Sequence, residues 1–471
     1  MEKNINKKKP RICMVCPYSY PLFNPDSMMI FGGWEVRMSL IAKELARRGN
    51  FEVFVIVADV GQPHIEKYEA VTLISWKENS LWDVSIPENK FPVPIPSLSE
   101  NSISFNEGMV SESKKKLNIR QYFFRIYLYI LKIIKKSDRI YFYVRKTRAY
   151  IGAVFHSLKI CYRSFKDIHE TIAYIETHPI IKRNIAVLKE IDADIYVVPG
   201  NHTTSAEVAY FCDKHHKKYV FLAGSNEDYK RNFRLEPRGY DIYGDPNFLK
   251  VYAIEHADIH LLQNENQADM LKTYNRNGMI IRNPIDLTHL YPEENANLIL
   301  WVGHSDPRVK RPNIVLDLAE KLSNYSFCII MKKANEIYFA ECIERAESLP
   351  NVTLIDYVPF NEIEKYYANA KILVNTSLFE GFPNAFLQAA KYGKPIITIN
   401  VDPGYMFSQH GCGISCGGNF KFFEESVRRL LTDDALYTKM STAALHYVHT
   451  YHDKDIIIPQ YEKAFQHLLR S

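Results

Sequence analysis

Apolar residues along this chain fall into two alternating spacings. Residues 11–16 (RICMVC) are a nearly continuous apolar run, the pattern of a strand buried on both faces. Gly32-Gly33 then open a helix from Trp34 to Arg48, Gly49 ends it, and Phe51 to Val57 is the next strand. This β-loop-α-β order begins a doubly wound sheet. Residues 61–113, rich in Pro, Ser and Asn and weakly periodic, read as insertions and loops. The alternation resumes with strand 194–198, helix 203–216, strand 218–222, helix 246–256, strand 258–262 and helix 264–273. Ile280 to Pro292 carries two prolines and reads as a connection between domains. A second alternation has strands at 298–302, 326–330, 352–355, 371–375 and 395–399, with helices at 312–322, 336–348, 361–369 and 384–392. Asp455 to Leu469 is an amphipathic helix.

A chain of 471 residues exceeds one ordinary core. The expectation is an α/β protein of two Rossmann-like domains with a cleft between them. Residues 1–285 form the first, 286–450 the second, and 451–471 a helix packing back toward the first. With 46% hydrophobic and 24% charged residues, the chain is globular, not disordered. Cys13 and Cys16 form a C-x-x-C inside a strand, where residues three apart point to opposite faces; the reading is structural. Cys412 and Cys416 lack a partner pair at zinc spacing.

Charge is uneven. Residues 114–166 hold fifteen Lys or Arg and one acid, Asp138, a net of +14 in a chain of +5, leaving −9 for the rest. Arg145, Arg148, His156, Lys159, Arg163 and Lys166 share one helical face beside aromatic and aliphatic residues, the pattern of a helix lying on an anionic membrane. No nucleic-acid-binding signature accompanies the charge, so no nucleic-acid partner is expected. The polar, basic start (MEKNINKKK) is not a secretory signal, and no apolar run reaches the roughly 20 residues of a membrane span. The expected location is cytoplasmic, peripheral on the inner membrane face.

Candidate chemistry concentrates in EGFPNAFLQAAKYGKPII, Glu380 to Ile397. Pro383 and Asn384 start a helix and Gly393 ends it. Free N–H groups and partial positive charge at that start seat a phosphate, while Glu380, acceptor-only, suits sugar hydroxyls. A nucleotide sugar has both ends. Gly32-Gly33 can bring backbone N–H groups to a phosphate, and VGHSDPRVKRP (Val302 to Pro312) places Arg308, Lys310 and Arg311 after a strand. Asp356-Tyr357-Val358-Pro359 can line a base pocket. His202 and, more weakly, Asp228 are acceptor-side candidates. Asp192 and Asp194 form a D-x-D that precedes a strand, so it reads as a helix end and turn rather than a metal site. His215-His216 read as surface.

With these motifs the chain resembles the family-4 retaining glycosyltransferases of the GT-B fold. The resemblance rests on FGGWEVRMSLIAKELARRGNFEVFVIV, HADIHLLQNENQADMLKTY with IIRNPIDL, WVGHSDPRVKRPNIVLDLAEKL, and the segment from Ile355 to Thr398. It implies that Glu380 holds the donor sugar and that Lys310 meets the donor diphosphate. Gln388 stands where the family has a second Glu on the ribose, and His304 where it has an Arg on the diphosphate. Gly32, Gly33, Arg308, Val358, Gly381, Phe382, Pro383 and Asn384 complete the donor site, and His202 with Lys310 and Glu380 makes the catalytic set. The leaving nucleoside diphosphate would be stabilised by Lys310, the Gly33 amide and the amides of Gly381 to Asn384. Retention is implied, and neither metal nor cofactor is expected. The acceptor would be a glycan or glycolipid, lipid-linked given the basic segment, in cell-surface polysaccharide synthesis. Gln388 and His304 keep open a non-catalytic partner subunit of the same fold; a sugar phosphorylase or epimerase is the third reading.

Overall fold

In the computed structural model, which describes residues 9–27, 29, 31–76, 171–241, 243–292 and 298–471, the first apolar run becomes the centre of a sheet. The basic segment 114–166 lies outside the described residues. The elements of the N-terminal lobe are β1 (Arg11–Val15), α1 (Gly33–Arg48), β2 (Glu52–Ala58), β3 (Ile65–Tyr68), β4 (Val71–Trp76), α2 (Pro179–Ile191), β5 (Ile195–Pro199), α3 (Thr203–His215) and β6 (Lys218–Leu222). After them come α4 (Asn247–Glu255), β7 (Ile259–Leu262), α5 (Glu265–Lys272) and β8 (Met279–Ile280). The sheet order is β3-β4-β2-β1-β5-β6-β7-β8, parallel except for β3. Cys13 and Cys16 are buried in and just after β1, where burial pushes the Cys13 thiol up and keeps it inert.

Strands β3 and β4 correct the loop reading of residues 61–113. Val71–Trp76 pairs in parallel with β2 as the third strand of the first half-sheet, and Ile65–Tyr68 folds back on it through Glu69. The apolar run is only six residues long and abuts a Pro- and Ser-rich stretch, so composition averaged over the segment hid it.

The second lobe has β9 (Leu298–His304), α6 (Pro312–Lys321), β10 (Ser326–Lys332), α7 (Glu336–Glu347), β11 (Val352–Ile355), α8 (Ile363–Asn369), β12 (Ala370–Asn375), α9 (Asn384–Lys391), β13 (Ile396–Thr398) and β14 (Gly413–Ser415). Its order, β11-β10-β9-β12-β13-β14, is wholly parallel. Strand order reverses between β9 and β12 here, and between β1 and β5 in the first lobe. Ligands of open α/β sheets bind outside the carboxyl ends of the strands at such reversals.

Three helices close the chain: α10 (Phe420–Thr432), α11 (Asp434–Tyr451) and α12 (Lys454–Leu468). The last returns to the N-terminal lobe, where Ile457, Ile458, Tyr461 and Phe465 share a core with Ile12, Met14 and Val55. The chain therefore crosses between lobes twice, and the crossings are bonded to each other: Ile285 N–H donates to His452 O (2.8 Å) and Lys454 N–H to Ile285 O (3.0 Å). Lys454 also reaches Glu44 and Asp286, both at 3.1 Å. Among the described residues, no helix is long and apolar enough to cross a membrane.

Burial pushes His260 and His304 down to about 4 and His452 to about 3. Their folded values lie below the unfolded value, so their contribution is complete above about pH 6.5 and is lost as pH falls toward 4. Each histidine steepens the loss by up to about 1.4 kcal/mol per pH unit. Melting temperature should therefore drop clearly between pH 7 and pH 4.5 in calorimetry. A flat profile over that range would contradict the neutral burial of these rings.

Candidate functional site

Both switch points are furnished with the residues singled out above. In the C-terminal lobe two loops meet, Ser305–Arg311 after β9 and Thr376–Pro383 after β12. Thr376 ties them together: its hydroxyl donates to Lys310 O (2.6 Å), its carbonyl accepts from Arg311 Nε (2.9 Å), and its Oγ1 accepts from Trp301 Nε1 (2.9 Å). Leu378 N–H donates to Val309 O (2.9 Å). So fixed, Lys310 Nζ donates to Glu380 Oε1, which also accepts from Ser377 Oγ (2.7 Å). The pair is only partly exposed, at 19% for the lysine side chain and 14% for the glutamate.

The other basic residues of this loop are placed differently. Arg311 takes a left-handed backbone (φ 49°) that turns its guanidinium back onto Thr376, away from the expected crevice position. Arg308 pairs with Asp306 (2.9 Å). His304 Nδ1 accepts from Asp306 N–H (3.3 Å), and burial, reinforced by Lys310, holds the ring neutral at pH 7. Where the resemblance has a charged fork, this chain therefore offers a neutral ring.

Helix α9 starts at Asn384 with Pro383 as its N-cap and no side-chain cap. Helix α1 starts at Gly33 with Gly32 as N-cap, and there Glu35, in the first turn, accepts from Gly32 N–H (2.8 Å). The two starts face each other across the lobes, where Asn384 Nδ2 donates to Gly33 O (2.5 Å). The two helix starts thus meet beside the loop that carries Glu380, the partner of Lys310, and the free N–H groups of α9 suit an anion. Gly381 makes the approach possible. A Cβ there would lie 2.3 Å from Gln263 Oε1 and 2.5 Å from Gly224 O, both in the N-terminal lobe. Asn264 Nδ2 donates to Gly381 O (3.0 Å) and Asn283 Nδ2 to Phe382 O (3.2 Å). Phe382 is buried and packs on the His452 ring at 4.7 Å. Down α9, Gln388 is 8% exposed, and its Oε1 is buried with no hydrogen-bond partner among the described residues. Val358, after β11, is buried in the C-terminal core.

On the N-terminal side, His202 lies just after β5. Its Nε2 donates to Pro199 O (2.9 Å), and burial lowers its basicity. Asp228 accepts from the N–H groups of Gly224 (2.7 Å), Ser225 (2.9 Å) and Asn201 (3.2 Å), so its carboxylate shapes the loop after β6. Asp192 caps α2 in a left-handed conformation and Asp194 accepts from Arg11 N–H (2.8 Å): the D-x-D is a helix end and turn. His215 ends α3 and His216 is its left-handed cap, apart from this cluster.

Sequence reasoning missed two features. Lys332, at the end of β10, sits 3.8 Å from the Phe31 ring of the other lobe, and Phe31 meets Phe360 edge-on at 5.7 Å. Trp34, next to the Gly-Gly pair, lies against the loops after β5 and β6. Its position after Gly33 was a legible signal; the Phe31 contact joins residues some 300 positions apart and was not.

Residues 289–446 match the family model described as glycosyl transferases group 1. A curated relative from Xenopus tropicalis, glycosyltransferase 1 domain-containing protein 1, is 24% identical over 166 residues, 34% of this chain and 48% of the relative. The chain thus spans about half the length of the curated relative it matches. A sucrose-phosphate synthase from Thermosynechococcus elongatus superposes with a TM-score of 0.64 at 12% identity, over 98% of this chain and 100% of that one. The catalytic domain of starch synthase IV from Arabidopsis thaliana, bound to ADP and acarbose, does so with a TM-score of 0.57 at 11% identity, over 98% and 100%. At these identities the structural likeness speaks for the fold. The fold is GT-B, and over residues 289–446 the chain is similar to the glycosyl transferases group 1.

Proposed function

We propose that the protein transfers a sugar from a nucleoside-diphosphate sugar to a glycan acceptor. The observation that carries this reading is the Lys310–Glu380 pair at the C-terminal switch point, on the loop that leads into α9, whose start meets that of α1 across the lobes. A diphosphate entering there competes for the lysine and the helix-end amides. Its arrival frees Glu380 to accept hydrogen bonds from sugar hydroxyls. Gln388 supports the same pose, because its orphaned oxygen can accept from a ribose hydroxyl. The ADP of the Arabidopsis relative is the kind of product such a donor leaves. Departure of the nucleoside diphosphate builds negative charge on its terminal phosphate. Fixed cations and N–H dipoles meet that charge without reorganisation.

Three finer points extend the proposal. Transfer proceeds with retention, the acceptor attacking from the N-terminal side near His202. No metal is needed, since Lys310 and the helix ends occupy the role a divalent cation would fill. The acceptor is lipid-linked and the protein docks on an anionic membrane; the +14 segment 114–166 supports this.

A screen of UDP-, GDP- and CDP-sugars by thermal shift, followed by assay of nucleoside diphosphate release, tests the core reading. One donor should stabilise the fold by about 2.7 kcal/mol at a hundredfold excess over its Kd. Wild type should release its diphosphate faster than Glu380→Ala. Equal rates would favour a non-catalytic binding subunit, the alternative to which the neutral His304 lends weight.

A further inference from the structure

Resting on that reading, we propose that Trp34 is a stacking platform for a pyranose ring of the acceptor, so that the acceptor is sugar-terminated at the point of attack. Trp34 occupies the first turn of α1 and belongs to none of the core clusters. Its six-membered ring lies on two glycines. A Cβ at Gly200 would come within 2.3 Å of it and one at Gly224 within 2.7 Å, so any other residue at either position would displace the indole. The polar edge is occupied: Nε1 donates to Glu35, whose other oxygen accepts from Gly32 N–H (2.8 Å). Glu35 is itself buried, and a carboxylate spent on a neighbouring indole fixes that ring's orientation. The residue is nonetheless 37% exposed, beside the loops after β5 and β6, with its one polar atom bound to Glu35.

The location gives this surface its use. Gly224, under the ring, is the residue whose carbonyl closes on Gly381, next to Glu380. The His202 ring lies 5.8 Å from the indole. The platform thus sits on the acceptor side of the carboxylate assigned to the donor sugar. A pyranose offers a face of C–H groups ringed by hydroxyls. That face matches a rigid indole better than a flexible lipid chain or a lone hydroxyl does.

Saturation-transfer NMR with methyl α- and β-glucopyranoside, galactopyranoside and mannopyranoside, with and without UDP, tests the inference, with glycerol as a polyol lacking a ring face. Wild type should bind at least one glycoside through its ring C–H protons and not glycerol. Trp34→Phe should retain the contact, and Trp34→Leu should weaken it about tenfold, the size of a stacking interaction. Melting curves establish that each variant is folded. Should the leucine variant not fold, tryptophan emission decides: glycoside should change it saturably in wild type and not in Trp34→Phe, which keeps Trp76, Trp82 and Trp301 as background. Absence of glycoside binding to wild type, or equal binding by wild type and Trp34→Leu, overturns the platform. Failure of every sugar nucleotide to bind or react would instead overturn the transferase reading beneath it.

Discussion

Lys310→Ala should lower the rate of nucleoside diphosphate release by about 10²- to 10³-fold, the usual cost of removing one preorganised donor from a developing anion. The reason lies in the loops that hold the lysine. Thr376, Arg311 and Leu378 fix the backbone around Lys310, so an ammonium drawn from Glu380 by a ligand stays anchored at the switch point. His304 cannot replace it, because its ring is neutral at pH 7, and Arg308 is occupied by Asp306. Lys310→Arg should recover part of the rate, since charge returns but the geometry changes. The fold should tolerate both changes, because the side chain is partly exposed and belongs to no core cluster. Steady-state kinetics on the donor identified by thermal shift measures the effect. A rate for Lys310→Ala within twofold of wild type would place the leaving-group contact elsewhere.

The largest expected loss of stability is at Arg37. This side chain is 2% exposed on α1. Its guanidinium donates to Tyr461 Oη (2.5 Å), Ala223 O (2.7 Å) and Ile281 O (3.3 Å). One residue thereby joins the helix that starts at Gly33, the end of β6 just before Gly224, the first crossing between lobes, and the returning helix α12. Arg37→Leu leaves Ala223 O without this donor, and the Tyr461 hydroxyl and Ile281 O with only the 3.4 Å bond between them, and should cost about 3–5 kcal/mol in urea denaturation. Tyr461→Phe removes one acceptor and should cost about 1–2 kcal/mol. The double variant should cost less than the sum, because the two changes remove a shared bond. Additive losses would mean that the Arg37–Tyr461 contact contributes nothing.

The same residues show what was legible in the sequence. The architecture was, because each lobe alternates continuous apolar runs with amphipathic ones, and Gly, Pro and Asn mark the ends. The loop from Thr376 to Asn384 was also legible as a helix start beside a carboxylate, since the phosphate seat is a local property of the backbone. Arg37 was not. On a helix that also carries Arg47 and Arg48, nothing local distinguishes a buried arginine from a solvated one; its partners are over 180 residues away. The direction of Arg311 was hidden for another reason: a left-handed residue before Pro312 reverses its side chain, and charge counting cannot see that. The state of His304 depends on burial beside Lys310, which only the folded loops create. The hairpin of β3 and β4 was lost to its neighbourhood, a short apolar run beside a biased segment.

The central claim is that one diphosphate sits between Lys310 and the starts of α1 and α9 while Glu380 takes the sugar. A structure with an intact or non-hydrolysable nucleoside-diphosphate sugar bound tests it most directly. The phosphates should lie within hydrogen-bond reach of Lys310 Nζ and the amides at Gly33 and Gly381–Asn384, with Glu380 released from the lysine and bonded to sugar hydroxyls. A donor seated away from the facing switch points, with Lys310 and Glu380 still joined to each other, would contradict the account.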